Sequence, residues 1–315
     1  MRKLTQKLVL SVVTMALVVI ALGTSTFAWF TLTNKAAISP FEAQVTAGEG
    51  IEITLGDWNG TNAYTAPDAD TVWYTVMPTN VIEDYIDNMY NNFRFDNMTS
   101  ADGSVIRNEA LSDISYSPAA KYIQFTLYFR SSAIKTIVWN SAELTGDPQP
   151  WVVNVPSFIS SDGITPWLLN ETKQVSAYTG ARVSIEGTAG TYTFQAPEGT
   201  VLGVYNSNDD VVSYDLEDVG GVFTVGAGTG TPYGAAAYGV AAGKTTTYGA
   251  AAPTVHATSL INTTPAELLT LGSPADGYYY GNVIVRVWIE GFDADTFDAI
   301  FNSTLSVQLG FGVDE

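Results

Sequence analysis

The stretch YIQFTLYFR, residues Tyr122–Arg130, decides the fold class because apolar and polar side chains alternate along it. Ile123, Phe125, Leu127 and Phe129 fall on one face, and polar or amphipathic residues fall on the other. A period of two residues is typical of an antiparallel strand that buries one face. The sequence therefore predicts a half-buried antiparallel β-strand here.

The same alternation recurs along the chain. Gly, Asn, Asp and Pro separate many of these runs at intervals of about 8–12 residues, as in a β-sandwich or barrel. The predicted strands are Ile51–Leu55, Val183–Ile185, Tyr192–Phe194, Val201–Tyr205, Val211–Tyr214, Val222–Val225, Val283–Ile289 and Leu305–Phe311. We expect an all-β protein, an antiparallel β-sandwich over residues 29–315. Approximately residues 140–270 are a β-rich middle, interpreted as an insertion or a second β subdomain.

Few segments have a helical pattern. Val81–Phe93 places its apolar residues on one face, with Thr79 or Asn80 as the predicted N-cap. Pro265–Leu271 is predicted to be a short helix with proline in its first turn, and Asp293–Phe301 another. All three are interpreted as packing elements.

The composition excludes several classes of function. The 315 residues carry 13 Lys and Arg against 32 Asp and Glu, no Cys and a single His, His256. The net charge of −19 argues against a nucleic-acid partner, which is bound through cationic side chains. With one His and no Cys, the chain cannot build a zinc site from several His or Cys ligands, and it has no Cys nucleophile. A catalytic triad would need His256 as its base. We predict no enzyme activity, no cofactor and no metal.

The N-terminus has the pattern of an export signal. Arg2, Lys3 and Lys7 precede an apolar run over residues 8–23, and a small-x-small sequence ends at Ala28. The prediction is cleavage between Ala28 and Trp29, which places the mature protein outside the cell or on its surface. The alternative is that the hydrophobic helix within residues 1–28 is retained as a membrane segment. If the signal is cleaved, the chain contacts the membrane only through residues 8–28, and only before the cleavage.

Two further features favour interactions outside the cell. Residues 226–252 are almost entirely Gly, Ala, Thr and Tyr, which is typical of a long loop or of a flat stacking contact. Trp58, Trp73, Trp151 and Trp167 lie near turn residues, where aromatic rings often bind sugars. The second feature leaves open an adhesin or a carbohydrate-binding module.

Two terminal stretches together resemble a known family. GTSTFAWFT, residues 23–31, follows the hydrophobic signal, and VWIEGFDAD, residues 287–295, precedes the last predicted helix and strand. They resemble the TasA/camelysin-like proteins, exported fibre subunits of Gram-positive biofilm matrices. The resemblance implies a jelly-roll β-sandwich whose subunits join by donor-strand exchange. The matching stretches are confined to the two ends of the chain.

Donor-strand exchange also has a physical basis, because an extended segment can pair with the unpaired backbone groups of a sheet edge. The candidate donor is Trp29–Ile38, whose polymerisation residues are Trp29, Phe30, Thr31, Leu32, Ala36 and Ile38. The alternative is that this segment is the first strand of its own domain. We expect a structural subunit of an extracellular filament or matrix fibre, with copies of itself and a cell-surface or matrix polysaccharide as partners. A membrane-anchored adhesin or carbohydrate-binding module is the alternative function.

Overall fold

A computed structural model describes residues 41–48, 50–61, 63–90, 93–100, 102–108, 112–117, 120–153, 158–159, 166–196, 216–218, 223–225, 265–290 and 304–314. Several sequence predictions lie outside these residues: the cleavage site at Ala28 and Trp29, the donor Trp29–Ile38, the strands Val201–Tyr205 and Val211–Tyr214, the tract 226–252, His256, and the helix Asp293–Phe301.

The protein is all-β, with antiparallel pairing dominant and few helices. The strands are β1 (Phe41–Ala47), β2 (Glu52–Thr54), β3 (Asp57–Trp58), β4 (Tyr64–Thr65), β5 (Val76–Met77), β6 (Asn97–Met98), β7 (Ile123–Ser131), β8 (Thr136–Thr145), β9 (Gln149–Val152), β10 (Phe158–Ile159), β11 (Pro166–Trp167), β12 (Thr172–Val175), β13 (Ala181–Glu186), β14 (Thr191–Gln195), β15 (Leu216–Asp218), β16 (Phe223–Val225), β17 (Ala266–Thr270), β18 (Gly272–Ala275), β19 (Tyr278–Glu290) and β20 (Leu305–Asp314). The helices among the described residues are α1 (Thr79–Met89) and α2 (Ala177–Gly180). No helix in this part of the chain is long and apolar enough to cross a membrane.

The alternating patterns identified their strands correctly. β7 alternates between buried and half-buried residues from Ile123 to Ser131, as predicted. β2, β13, β14, β16, β19 and β20 also lie where the sequence placed strands. Helix α1 is confirmed, although it ends at Met89 and its N-cap is Pro78 rather than Thr79 or Asn80.

The helix predicted at Pro265–Leu271 is wrong, because this segment forms strand β17. β17 pairs with β8 and buries Leu268 and Leu269, with a register shift between Glu267 and Leu269. The shift explains the misleading pattern, since a bulge places two neighbouring leucines inside as a helix would. Pairing with β8 outweighs the local helical preference.

Two sheets account for most of the structure. The seven-stranded sheet has the order β14-β13-β19-β7-β2, with β18 and β6 also paired to β19. The five-stranded sheet has the order β17-β8-β20-β1-β5. β13, β14 and β17 belong to these sheets although they fall within residues 140–270.

The two sheets share one hydrophobic core, as in a sandwich. Phe129 of β7 meets Phe311 of β20 with ring centroids 5.1 Å apart, and Trp139 of β8 lies 6.2 Å from Phe194 of β14. These contacts join the inner faces of the sheets. The core is therefore built from the side chains that point inward in the period-two alternation of the strands.

The chain from Tyr74 to Met77 bridges the two sheets on one side of the shared core. Tyr74 exchanges backbone hydrogen bonds of 2.7 and 2.9 Å with Ile53 of the seven-stranded sheet. Thr75 then accepts a 2.8 Å bond from the amide of Ala47, and β5 pairs with β1 of the five-stranded sheet. The segment therefore satisfies backbone groups of both sheets at this side.

A second, smaller core lies on the other face of the seven-stranded sheet. Trp288 is fully buried there among Met98, Ile106, Ala120 and Tyr122. Its indole nitrogen donates a 3.0 Å hydrogen bond to the carboxylate of Glu290. Through these contacts Trp288 packs the segment between β6 and β7 against the sheet.

Replacing Trp288 with alanine should lower the free energy of unfolding by about 3–5 kcal/mol, because it empties a fully buried indole site. Urea unfolding followed by circular dichroism measures this change. Trp288→Phe, which keeps an aromatic ring, should lose less. A Trp288→Ala protein as stable as the parent would contradict this packing.

Candidate functional site at an open sheet edge

β17 covers part of the outer edge of β8. It pairs with Thr136–Trp139 and does not extend along Asn140–Thr145. On the other side, β20 pairs with β8 along the length of the strand. The edge of a sheet is a place where an extended chain can bind through its backbone groups.

A groove of about 590 Å³ lies along the part of β8 that β17 does not cover. Ala142 and Leu144 of β8 face Phe194 and Ala196 at the edge of the other sheet, and all four are buried. The exposed side chain of Glu143 lies on the rim. The groove therefore combines buried apolar side chains with polar ones, such as Asn140, Ser141 and Gln308, beside the part of β8 that β17 does not cover.

The local sequence of β8 explains the shape of this edge. Ile137 and Trp139 point into the core, but Ala142 and Leu144 resume the inward pattern out of phase with them. The ladder to β20 shifts opposite Asn140, which marks a bulge. The small side chain of Ala142 next to the bulge leaves space in the inner layer.

The groove is closed at the end that β17 occupies. The amide of Ala189, in the turn between β13 and β14, donates a 2.8 Å hydrogen bond to the carbonyl of Leu268 in β17. β17 thereby links the two sheets beside Thr136–Trp139. Because the groove begins where β17 ends, it runs from Asn140 to the Thr145 end of the sheet.

A comparable edge elsewhere is capped by a side chain. β2 covers β7 only from Tyr128 to Arg130, and Gln124 lies beyond it. The hydroxyl of Tyr90 accepts a 2.7 Å hydrogen bond from the amide of Gln124 and donates one of 2.7 Å to its carbonyl. Burial raises the pKa of Tyr90, so the hydroxyl stays protonated and able to donate.

The start of β1 lies at the same end of the five-stranded sheet as the end of β8. Phe41 is level with Leu305 in the parallel β1–β20 pair, and Ser306 is level with Thr145 in the antiparallel β20–β8 pair. The chain that precedes Phe41 therefore leaves the sheet at the Thr145 end of the groove.

Three of the candidate sugar-binding tryptophans contact other side chains of the same chain. Trp73 lies 4.6 Å from the guanidinium carbon of Arg130, Trp58 lies 5.2 Å from Tyr64, and Trp151 packs against the main core. The side chain of Trp167 lies outside the described residues. Three of the four rings thus have intramolecular partners.

The groove was missed from the sequence because β8 itself was not predicted. A signal exists in TIVWNSAELT, residues 136–145, where two short alternating runs are joined out of phase at Asn140. The position of the groove along β8 could not be inferred, because it depends on how far β17 extends. In the described part of the chain no three acidic or His side chains are grouped to hold a metal.

The chain matches no protein-family model, no curated protein and no solved structure. The groove and the strand edge are therefore the observations from which its function is inferred.

The edge cap at Tyr90 provides a test of how strongly this fold depends on satisfied strand edges. Tyr90→Phe should lower the free energy of unfolding by about 1–3 kcal/mol, since it removes the hydroxyl that bonds both the amide and the carbonyl of Gln124. Tyr178→Phe, at the groove, is the control and should change little. Equal stabilities of the two variants in urea would show that the Tyr90 cap contributes nothing.

Proposed function

We propose that this protein is an exported structural subunit that polymerises into an extracellular filament or matrix fibre. The N-terminal segment Trp29–Ile38 of one subunit would lie along Asn140–Thr145 of the next. The observation that carries the proposal is the groove beside β8, which lies beyond the end of β17 and includes Leu144, Phe194 and Ala196 in its lining. An extended segment there would gain main-chain hydrogen bonds and bury alternate side chains.

The sequence of the donor suits such an edge. The even-numbered residues of the segment are apolar except Asn34: Phe30, Leu32, Ala36 and Ile38. The odd-numbered residues include Thr31, Thr33 and Lys35, between Trp29 and Ala37. In an extended strand the first set faces the groove and the second faces water.

The position of the segment also supports assembly. The first described strand begins at Phe41, so the proposed donor precedes β1 in the chain. β1 is already paired with β20 and β5, which leaves the preceding residues to pair elsewhere. Export and cleavage after Ala28 would release this segment from the membrane and permit assembly outside the cell.

The same proposal includes a specific fold, a jelly-roll β-sandwich of the TasA/camelysin-like kind. Such a fold would combine two facing sheets with a missing edge strand. The alternative, a membrane-anchored adhesin or a carbohydrate-binding module, stays a prediction. It would gain support from dispersed monomers that bind a cell-surface or matrix polysaccharide.

Deleting Trp29–Ile38 from the mature protein should abolish filaments while the monomer remains folded, because the described core begins after this segment. Electron microscopy reports filaments, and circular dichroism with thermal unfolding reports the fold. Filaments that persist in a folded deletion variant would refute polymerisation by this donor.

A substitution pair tests which face of the donor enters the groove. Leu32→Asp should prevent filaments, since burying an unpaired carboxylate in an apolar groove is costly. Thr31→Asp adds the same charge on the opposite face and should still assemble. Assembly is measured by light scattering and electron microscopy at matched concentrations. The reverse result would place the odd-numbered face in the groove.

A further inference from the structure

We propose that Asn170 is a glycosylation site whose N-linked glycan covers an exposed apolar patch beside it. The inference rests on the proposed function only in that it requires export, because the sugar donor acts on exported chains. It concerns the turn Leu168–Glu171 and the two-stranded ribbon of β9 and β12, none of whose residues line the groove.

The chain contains five Asn-x-Ser/Thr sequences, the acceptor pattern for N-linked glycans. They begin at Asn59, Asn97, Asn170, Asn262 and Asn302. Asn262 and Asn302 lie outside the described residues. The structure distinguishes among the other three by the surroundings of each asparagine.

Asn170 lies in an exposed turn. The amide of Glu171 donates a 3.0 Å hydrogen bond to the carbonyl of Leu168, so Leu168–Glu171 form a β-turn with Asn170 as the third residue. Its φ of 70° is one that asparagine adopts more readily than most residues. Asn170 and Thr172, the two residues that define the acceptor pattern, are both exposed.

The other two described asparagines are parts of structural elements. Asn59 is also exposed, but its side-chain oxygen accepts hydrogen bonds of 2.9 Å from the amide of Thr61 and 3.2 Å from that of Ala63. A transferase that draws this sequence into its active site must break both bonds. Asn97 belongs to β6, which is paired with β19. These differences favour Asn170 as the acceptor.

An exposed apolar patch borders the acceptor sequence. It consists of three of the seven most exposed large apolar side chains among the described residues, Val152, Leu168 and Leu169, which are 54%, 48% and 51% exposed. Val152 is level with Thr172 in the β9–β12 pair. The amide of Asn170 donates a 2.8 Å hydrogen bond to the carbonyl of Val153, next to Val152. The patch and the acceptor asparagine therefore share one end of the ribbon.

A glycan is a suitable cover for this patch. Sugars on Asn170 are bulky and water-soluble, and the C–H groups of their rings pack on aliphatic side chains. Covering Val152 and Leu168 removes apolar surface from water, which is favourable. The carboxylate of Glu171 accepts 2.9 and 3.0 Å bonds from the amide of Leu168 and the ammonium of Lys173. The charge within the acceptor sequence is thus paired.

The chemical step is the transfer of an oligosaccharide from a lipid-phosphate carrier by a transferase of the exporting cell. The side-chain nitrogen of Asn170 forms a bond to the anomeric carbon of the first sugar. The bond from that carbon to the phosphate oxygen breaks, and the lipid phosphate leaves with the electron pair. One proton of the amide passes to a base.

Mass spectrometry of the protein exported by the cells that naturally make it tests the assignment. Trypsin releases residues 136–173 as one peptide, because no Lys or Arg lies between Lys135 and Lys173, and Asn170 begins the only acceptor sequence in it. We expect this peptide to carry a sugar mass, which electron-transfer fragmentation places on Asn170. Asn59 lies in a separate peptide, residues 36–94, and should have the lower occupancy.

Two substitutions at Thr172 form a matched pair, because both leave Asn170 and its turn unchanged. Thr172→Ser keeps the acceptor pattern and should keep the glycan, whereas Thr172→Ala removes the pattern and should lose the sugar mass. The Thr172→Ala protein should also elute later from a hydrophobic-interaction column, because the apolar patch is uncovered. Circular dichroism checks that both variants are folded.

The remaining outcomes separate this inference from the filament proposal. An exported protein with unmodified Asn170 would overturn glycosylation here and leave the filament proposal unaffected. A sugar mass that persists on the same peptide of Thr172→Ala would overturn the assignment to Asn170. Equal retention of the two variants, one with the glycan and one without, would overturn the covering of the patch. A protein glycosylated at Asn170 that forms no filaments would support this inference and contradict the proposed function.

Discussion

The structure depends on one constraint: every strand of a sheet has two sides of backbone groups that need hydrogen-bond partners. The chain meets this need differently at each edge. Tyr74 and Thr75 bridge the two sheets on one side, and the hydroxyl of Tyr90 satisfies Gln124 where β2 ends. β17 covers half of β8 and is itself bonded to the facing sheet. The groove lies along the part of β8 that β17 does not cover.

The pairing of the first and last described strands couples the fold to this edge. β1 and β20 are parallel, within a sheet whose other pairs are antiparallel. A parallel pair fixes Phe41 at the end where β20 begins, and β8 places Thr145 at that end as well. Had β1 been antiparallel to β20, the chain before it would emerge at the end closed by β17. The direction of one strand therefore places Phe41 and Thr145 at the same end of the sheet, which the proposed donor mechanism requires.

The sequence predicted the parts of the fold that depend on local alternation. β7 buries one side chain in two along its length, and this single period is enough to find it. β19 was also found, although it buries every side chain from Val285 to Glu290. β8 and β17 were missed or assigned wrongly because each contains a bulge, at Asn140 and between Glu267 and Leu269. A bulge changes the phase of the pattern, and only the partner strand shows where. The groove lies along β8 beyond the end of β17, so the same irregularities hid the candidate site.

An unpaired edge invites indiscriminate pairing, and the charge of the protein limits it. With a net charge of −19, copies of the chain repel one another, and Glu143 places a carboxylate on the rim of the groove. The proposed donor, Trp29–Ile38, has one charged side chain, Lys35, and residues 226–252 likewise have only Lys244. Under the proposed mechanism such a segment would approach Glu143 without repulsion, whereas an acidic strand would bring carboxylates close to it. Charge therefore disfavours the acidic stretches as donors, and the apolar side chains on one face of Trp29–Ile38 distinguish it from the Gly- and Ala-rich tract.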